Sequence, residues 1–147
     1  MSSNLPTVQD FMDKTFVTLQ RDMDVYKAID VLLTKGITSA VVTDDEMKIV
    51  GILSEKDCLT LLTKGEYHSL PSGRVSDFMT EHVVTIPPNT DIFSVADMFL
   101  KHFFRRLVVA DQDGKMVGQI TRRDLLKIIK AFKGQQKEKN KKIAPIL

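Results

Sequence analysis

The stretch Val117–Asp124, which reads Val-Gly-Gln-Ile-Thr-Arg-Arg-Asp, decides the fold of this chain because the sequence contains it twice. Its counterpart, Val-Gly-Ile-Leu-Ser-Glu-Lys-Asp, lies at Val50–Asp57, 67 residues earlier. The same offset aligns residues 8–62 with residues 75–129 without a gap. Such a repeat of apolar residues, turns and polar groups predicts two copies of one small structural unit. A unit of about 55 residues buries little apolar surface alone, so we expect the two copies to share a core.

Each copy predicts the same order of elements, β-α-β-β-α. Short β-rich runs at residues 16–19 and 83–86 are followed by a helix with apolar residues at a 3.6-residue period. Two strands come next, and the Asp-Gly turn at residues 111–114 of the second copy is a strong hairpin signal. A second helix closes each copy, at about residues 55–62 and 122–132. The chain is therefore predicted to be an α+β protein.

Composition limits the classes of partner. The net charge is +2, but five lysines and one glutamate lie in residues 133–147, so the remainder is slightly acidic. A basic face across the body is not indicated, and nucleic acid is not an expected partner. The sequence contains no apolar run long enough to enter a membrane and no secretory signal. The lone Cys58 cannot form an intrachain disulfide, which fits a cytoplasmic location.

The alignment of the copies also divides the chain. Residues 1–64 form the first repeat with an N-terminal segment, and residues 65–74 form a linker rich in Gly, Pro and Ser. Residues 75–132 form the second repeat. The lysine-rich extension, residues 133–147, is expected to prolong the last helix and then fray.

The polar motif that closes each copy has two interpretations. Ser54-x-x-Asp57 and Thr121-x-x-Asp124 have the spacing of capping boxes, in which hydroxyl and carboxylate accept backbone N–H groups at a helix start. Each motif follows a glycine, Gly51 or Gly118, which would let a ligand approach the backbone closely. A helix N-terminus also favours anions. The motif can serve as a cap, as part of a ligand site, or as both.

Three features together show a family resemblance. Asp-Phe-Met precedes the first strand of each copy, Arg105–Asp111 leads into the second hairpin, and each copy closes with Val-Gly-x-Ile/Leu-Ser/Thr-x-x-Asp. With these features, residues 8–130 resemble a tandem pair of CBS domains, also called a Bateman module. The resemblance implies two repeats packed through their sheets with pseudo-twofold symmetry, leaving two clefts between them. It also implies a homodimer that forms a flat disc through its helices.

The same resemblance implies a stand-alone regulatory module rather than an enzyme. Such a module would bind an adenine nucleotide, AMP first and also ADP or ATP, and transmit the energy status of the cell to a partner protein. It would require no cofactor. The sequence contains no nucleophile–base set and no P-loop or dinucleotide fingerprint. Two alternatives remain, a ligand-independent dimerisation or interaction module and a sensor of S-adenosylmethionine. A distant third is a nucleic-acid-associated protein that works through the lysine-rich residues 133–147.

The resemblance also suggests where each part of the nucleotide would lie. Adenine would contact backbone and apolar residues at the starts of the strands, ribose would bind the motif carboxylate, and phosphates would bind cations. Because Arg105-Arg106 replaces Thr38-Ser39, we expect two unequal sites, with the phosphorylated ligand at the Asp124 motif. His68, His82 and His102 have no metal-ligand spacing with the cysteine, so no metal site is expected. The predicted nucleotide-binding residues are Thr18, Ala40, Val41, Ser54, Asp57, Thr85, Arg105, Arg106, Leu107, Val108, Thr121, Arg122 and Asp124.

Overall fold

The fold is that of a computed structural model, which describes the backbone of residues 5–65 and 69–143 and the side chains of these residues up to Lys139. The first copy contains a 3-10 turn (Val8–Asp10), β1 (Thr18–Gln20), α1 (Val25–Lys35), β2 (Ser39–Thr43), β3 (Ile49–Ser54) and α2 (Glu55–Lys64). The second copy contains α3 (Val75–Phe78), β4 (Thr85–Ile86), α4 (Ile92–Lys101), β5 (Arg106–Ala110), β6 (Met116–Thr121) and α5 (Arg122–Ile143). The predicted α+β architecture is confirmed.

Each copy folds its strands into one three-stranded sheet. The strand orders are β1-β2-β3 and β4-β5-β6, with the first pair parallel and the second antiparallel. Thr18 pairs with Val41, and Thr85 pairs with Val108, at equivalent positions of the two sheets. The parallel step from β1 to β2 is made through helix α1, as a parallel pair requires. The repeated sequence therefore produces a repeated register.

The sheets meet across a pseudo-twofold axis. The N–H of Ile49 donates to the carbonyl of Gly114 at 3.0 Å, and the N–H of Met116 donates to the carbonyl of Met47 at 3.2 Å. These four residues are two pairs of equivalent positions, so the two hydrogen bonds are related by the internal symmetry. Beside them, Val41, Val108 and Met116 form a small buried cluster between the sheets. The predicted symmetric packing is confirmed.

The leading segment of each copy packs on the core of the other copy. Val8 is fully buried in the second core, where Phe11 and Met12 also pack. Val75 is fully buried in the first core. The backbones of Asp13 and Gln119 exchange hydrogen bonds of 2.8 and 3.1 Å, and those of Ile52 and Thr80 exchange two of 2.9 Å. The copies share their cores by this exchange of segments.

One boundary, the start of the first strand of each copy, differs from the sequence prediction. The first strand of each copy begins at Thr18 or Thr85, two residues later than predicted. The last helix continues past Phe132 to Ile143, as expected for the lysine-rich extension. Its added part consists mainly of Lys, Gln and Glu, which are good helix formers. Residues 144–147 of the predicted extension, and residues 66–68 of the predicted linker, lie outside the described residues.

Candidate functional site

Both polar motifs form capping boxes. The Oγ of Ser54 accepts the N–H of Asp57 at 3.1 Å, and the Oδ2 of Asp57 accepts the N–H of Ser54 at 2.9 Å. In the second copy the matching distances between Thr121 and Asp124 are 3.2 and 2.9 Å. These bonds satisfy backbone N–H groups that a helix start leaves free. The capping interpretation is confirmed for both copies.

The two motif glycines have a structural cause other than a ligand. A Cβ on Gly51 would lie 2.7 Å from the Sδ of Met79, and a Cβ on Gly118 would collide with the Sδ of Met12. Both methionines belong to the exchanged segments. The expectation that these glycines admit a ligand is therefore wrong, because the neighbouring segment already occupies that space.

The two motif carboxylates have different surroundings. Thr80 donates its hydroxyl to the Oδ1 of Asp57 at 3.2 Å, so both oxygens of Asp57 are engaged. The equivalent position in the first copy is Asp13. Its carboxylate instead accepts the N–H and the hydroxyl of Thr15 at 2.8 and 2.7 Å, and these bonds lower the pKa of Asp13. Within the described residues, Asp124 uses only its Oδ2.

A cavity of about 240 Å³ lies beside the first motif, and we call it the Ser54 cleft. It is bounded by the start of β2, the first turn of α2, and the residue that precedes β5. The expectation that Arg105 lies with the Asp124 motif is wrong, because this arginine reaches across the pseudo-twofold axis into the Ser54 cleft. The lining residues are Thr38, Ser39, Ser54, Glu55, Lys56 and Arg105.

Arg106 lies between the two copies as a partly buried cation. Its Nη1 donates to the Oε1 of Gln119 at 3.1 Å, and its Nη2 donates to the Oγ1 of Thr38 at 3.4 Å. Its buried Nε has no hydrogen-bond partner among the described residues. Desolvation, followed by repulsion from Arg105, lowers the pKa of Arg106. Among the residues whose side chains are described, neither Arg105 nor Arg106 forms an ion pair with a carboxylate.

The residues predicted to contact adenine offer mainly backbone. The side chains of Ala40 and Leu107 are buried in the two repeat cores, and those of Val41 and Val108 are buried between the sheets. β1 begins to pair with β2 at Val41. The part of β2 before Val41 therefore has no β1 residue paired with it on that edge. Peptide N–H and C=O groups at such an edge can bind the polar edge of a base. Thr18 is partly buried and Thr85 is exposed.

The remaining predicted residues stand apart from the Ser54 cleft. Arg122 is exposed in the first turn of α5.

His82 is exposed, His102 stacks on Phe104 with ring centroids 4.9 Å apart, and His68 lies outside the described residues. No group of three or more potential metal ligands occurs in the described part of the chain. Among its helices, none combines the length and apolar character needed to cross a bilayer.

Comparison with known sequences identifies the repeat. The family model of the CBS domain matches residues 8–64 and residues 75–131. This chain belongs to the CBS-domain family. The match places one CBS repeat on each copy and confirms the resemblance inferred from the motifs.

Other CBS-pair proteins share this arrangement. The structure of CBSX2 in complex with AMP is 30% identical in sequence to this chain, with a TM-score of 0.75 over 87% of this chain and 98% of that chain. A second CBSX2 structure is that of the CBS-pair protein from Arabidopsis thaliana. The cytosolic domain of the Mg²⁺ channel MgtE in complex with ATP is 26% identical, with a TM-score of 0.66 over 80% of this chain and 46% of that chain. Inosine-5'-monophosphate dehydrogenase of Aquifex aeolicus is 34% identical over 76% of this chain and 22% of that protein. The chain spans less than half the length of the first curated relatives it matches.

The helical face of the first CBS repeat carries an apolar groove. A cavity of about 370 Å³ lies between α1 and α2, where Leu33 and Leu62 remain mostly exposed. Cys58 lines the same groove, and burial raises the pKa of its thiol. The second CBS repeat also exposes large apolar residues on its helices, which are Phe93, Leu100, Leu126 and Ile129. Exposed apolar surface of this extent is typical of an interaction site.

Proposed function

We propose that this CBS pair is a regulatory module that binds an adenine nucleotide in the Ser54 cleft and signals to a partner protein. AMP is the first candidate, with ADP and ATP as longer forms of the same ligand. The role is one of binding rather than catalysis. We place the module in the cytoplasm.

The observation that carries this proposal is the unpaired charge of Arg105 and Arg106. Arg106 is partly buried and has no anionic partner among the described residues, and the exposed Arg105 beside it adds repulsion. A phosphate group would bring the missing negative charge and several acceptor oxygens. Lys56 and the N-terminus of α2 border the same cleft and favour an anion, whereas Glu55 opposes it, so Arg105 and Lys56 outnumber the one carboxylate of the lining. The site is therefore suited to a phosphorylated ligand.

The rest of the nucleotide follows from the fold around the cleft. The cavity lies slightly below the range of about 300–1,000 Å³ that encloses whole ligands, so it suits the phosphate end of the molecule. The base would lie along the open edge of β2 near Thr18 and Ala40. Ribose would compete with Thr80 for Asp57. This placement moves the phosphorylated ligand from the Asp124 motif to the Asp57 motif, because Arg105 lies there.

The related structures support the chemistry. CBSX2 is solved with AMP, and the cytosolic domain of MgtE is solved with ATP. Both proteins also resemble this chain in sequence, with identities of 30% and 26%. They therefore support a nucleotide as the ligand of this chain and not only a common fold. We further propose a homodimer formed through the apolar helical faces. The second cleft, with Thr121, Arg122 and Asp124, remains a candidate for another ligand.

Isothermal titration calorimetry with AMP tests the proposal. We expect Arg105→Gln to weaken binding by about 10- to 150-fold, because a charge-assisted hydrogen bond contributes about 1.5–3 kcal/mol. Arg123→Gln is the matched control, since it removes the same charge at an exposed position outside the Ser54 cleft. S-adenosylmethionine carries a carboxylate but no phosphate, so Arg105→Gln should weaken its binding less than that of AMP. No binding of AMP, ADP or ATP by the unaltered protein would contradict the proposal.

A ligand-independent interaction module is the second candidate function. The capping boxes favour it, because they explain both Ser/Thr-x-x-Asp motifs without any ligand. Thermal unfolding separates the two functions. A nucleotide at about 100 times its dissociation constant adds about 2.7 kcal/mol to the free energy of unfolding, whereas an interaction module shows no such shift.

A further inference from the structure

Helix α5 carries a row of five cations along one face. Arg123, Lys127, Lys130, Lys133 and Lys137 follow one another at intervals of four, three, three and four residues. These intervals keep successive side chains on the same side of a helix with 3.6 residues per turn. We call these residues the α5 cation row. It is about 21 Å long at a rise of about 1.5 Å per residue.

The α5 cation row points away from the body of the protein. All five side chains are exposed. The opposite side of the helix packs into the second core through Leu125, Ile128 and Phe132, and the ring of Phe132 meets Phe11 edge-on. Because the helix continues past Phe132, the last part of the row projects beyond the second repeat. A flat or rod-shaped partner can therefore reach the row along its whole length in a single chain. At its N-terminal end the row shares a face with Leu126, which belongs to the apolar surface proposed for the dimer, so a dimer would leave mainly the projecting part of the row accessible.

The row has little charge compensation, and Lys127 is the member that interacts electrostatically with a described carboxylate, that of Asp13. None of its five cations forms an ion pair in the part of the chain whose side chains are described. Like charges three or four residues apart on a helix repel each other and destabilise it. An anionic partner would remove this repulsion.

We propose that the α5 cation row binds the phosphate backbone of a DNA duplex. A duplex presents about one negative charge per 1.7 Å of its axis, which is dense enough to face every cation in the row. The charge balance of the body predicts no nucleic-acid surface, but the structure concentrates the cations on one projecting helix. This binding would be independent of sequence, since backbone contacts carry no base information.

Two other polyanions fit the row less well. Helices that lie in a membrane surface combine lysines with a continuous apolar face, but residues 133–139 contain no large apolar residue. The exposed apolar residues of α5, Leu126 and Ile129, lie within the second repeat. Single-stranded nucleic acid is usually held by stacking on aromatic side chains. The row and the residues between its members on that face contain none.

Fluorescence anisotropy with a labelled duplex of about 20 base pairs tests the proposal, read through its salt dependence. Five cations predict a slope of about −4.5 in a plot of log K against log salt concentration. Lys137→Gln should reduce the slope by about 0.9 and weaken binding. Lys139→Gln is the matched control, because it removes the same charge from the same helix on the opposite side. The control should leave the slope unchanged.

Each other outcome would overturn the proposal. Equal effects of Lys137→Gln and Lys139→Gln would show a diffuse charge effect rather than a row. A salt slope near zero would exclude backbone binding. Retention on phosphatidylserine vesicles without duplex binding would identify a membrane surface, and tighter binding to single strands would identify a different nucleic acid. AMP binding should be the same in both variants, since the row is separate from the Ser54 cleft.

Discussion

The backbone of Gly118 lies against the side chain of Met12, which comes from the other copy. A side chain at Gly118 would collide with the Sδ of Met12 and lie 3.1 Å from the carbonyl oxygen of Asp13. The sulfur can move, because methionine is flexible, but the carbonyl is held by its hydrogen bond with Gln119. Glycine is therefore required here by the packing of the two copies.

Gly118→Ala should lower the free energy of unfolding by about 1–3 kcal/mol, the usual cost of overpacking. Urea denaturation followed by circular dichroism measures this change. Gly134→Ala is the control, because a Cβ at that helical position meets no atom within 4 Å. It should instead stabilise the helix by up to about 1 kcal/mol. Equal stability of the unaltered protein and Gly118→Ala would show that the exchanged segment does not need this glycine.

Prediction from sequence succeeded for residues whose role depends on near neighbours. The caps at Ser54 and Thr121 were predicted because all their partners lie within three residues. The surroundings of Gly118 and Arg105 were not predicted. Met12 lies 106 residues before Gly118. Arg105 enters a cleft formed by the other copy. No local pattern encodes such contacts, although the equivalence of positions 38 and 105 could have suggested that they meet at the axis.

At the scale of elements, the exchange of leading segments determines what holds each sheet in place. Val8 is buried beneath β4–β6, and Val75 is buried beneath β1–β3. Backbone hydrogen bonds tie each segment to the last strand of the other copy. The stability of each sheet thus depends on residues that the repeat pattern assigns to its neighbour.

Val8→Ala should therefore loosen the second sheet more than the first. Removing two buried carbon atoms costs about 2 kcal/mol, which corresponds to about 30-fold faster exchange wherever that part opens by itself. Hydrogen exchange measured by mass spectrometry should show the increase in β5 and β6. Val75→Ala is the reciprocal variant and should show it in β2 and β3. If each variant affected only its own copy, the exchange of segments would be wrong.

The elements themselves were largely predictable. Apolar periodicity and turn residues predicted the order β-α-β-β-α in both copies. The boundaries were less accurate because pairing and packing decide them. β1 begins only where Val41 becomes available as a pairing partner. The continuation of α5 past Phe132 was predicted, because nothing in residues 133–143 breaks a helix strongly. Gly134 is the weakest helix former there, but a single glycine costs only about 1 kcal/mol.

For the whole molecule, the helical faces carry the surface suited to another subunit. Leu62 is 68% exposed at the rim of the groove between α1 and α2, and Leu33 is 74% exposed on the same face. Such side chains gain stability when a partner covers them, at about 25 cal/mol per Å² of apolar area. The proposed homodimer would bury them.

Leu62→Glu should separate the proposed dimer into single chains, because association would bury an unpaired carboxylate. Size-exclusion chromatography with light scattering measures the mass directly. Thr63→Glu adds the same charge at the next, exposed position, which does not line the groove, and should leave the dimer intact. A mass of one chain for the unaltered protein would contradict the dimer.

The exchanged segments also determine how this molecule could be divided. A chain cut between Lys64 and Val75 would leave each half holding the piece that fills the other half's core. An isolated half could complete itself only by borrowing the missing segment from a second molecule, as in domain swapping. Mixed together, the two halves would instead complement each other. The covalent link between the copies therefore makes the exchange of segments take place within one chain instead of between two molecules.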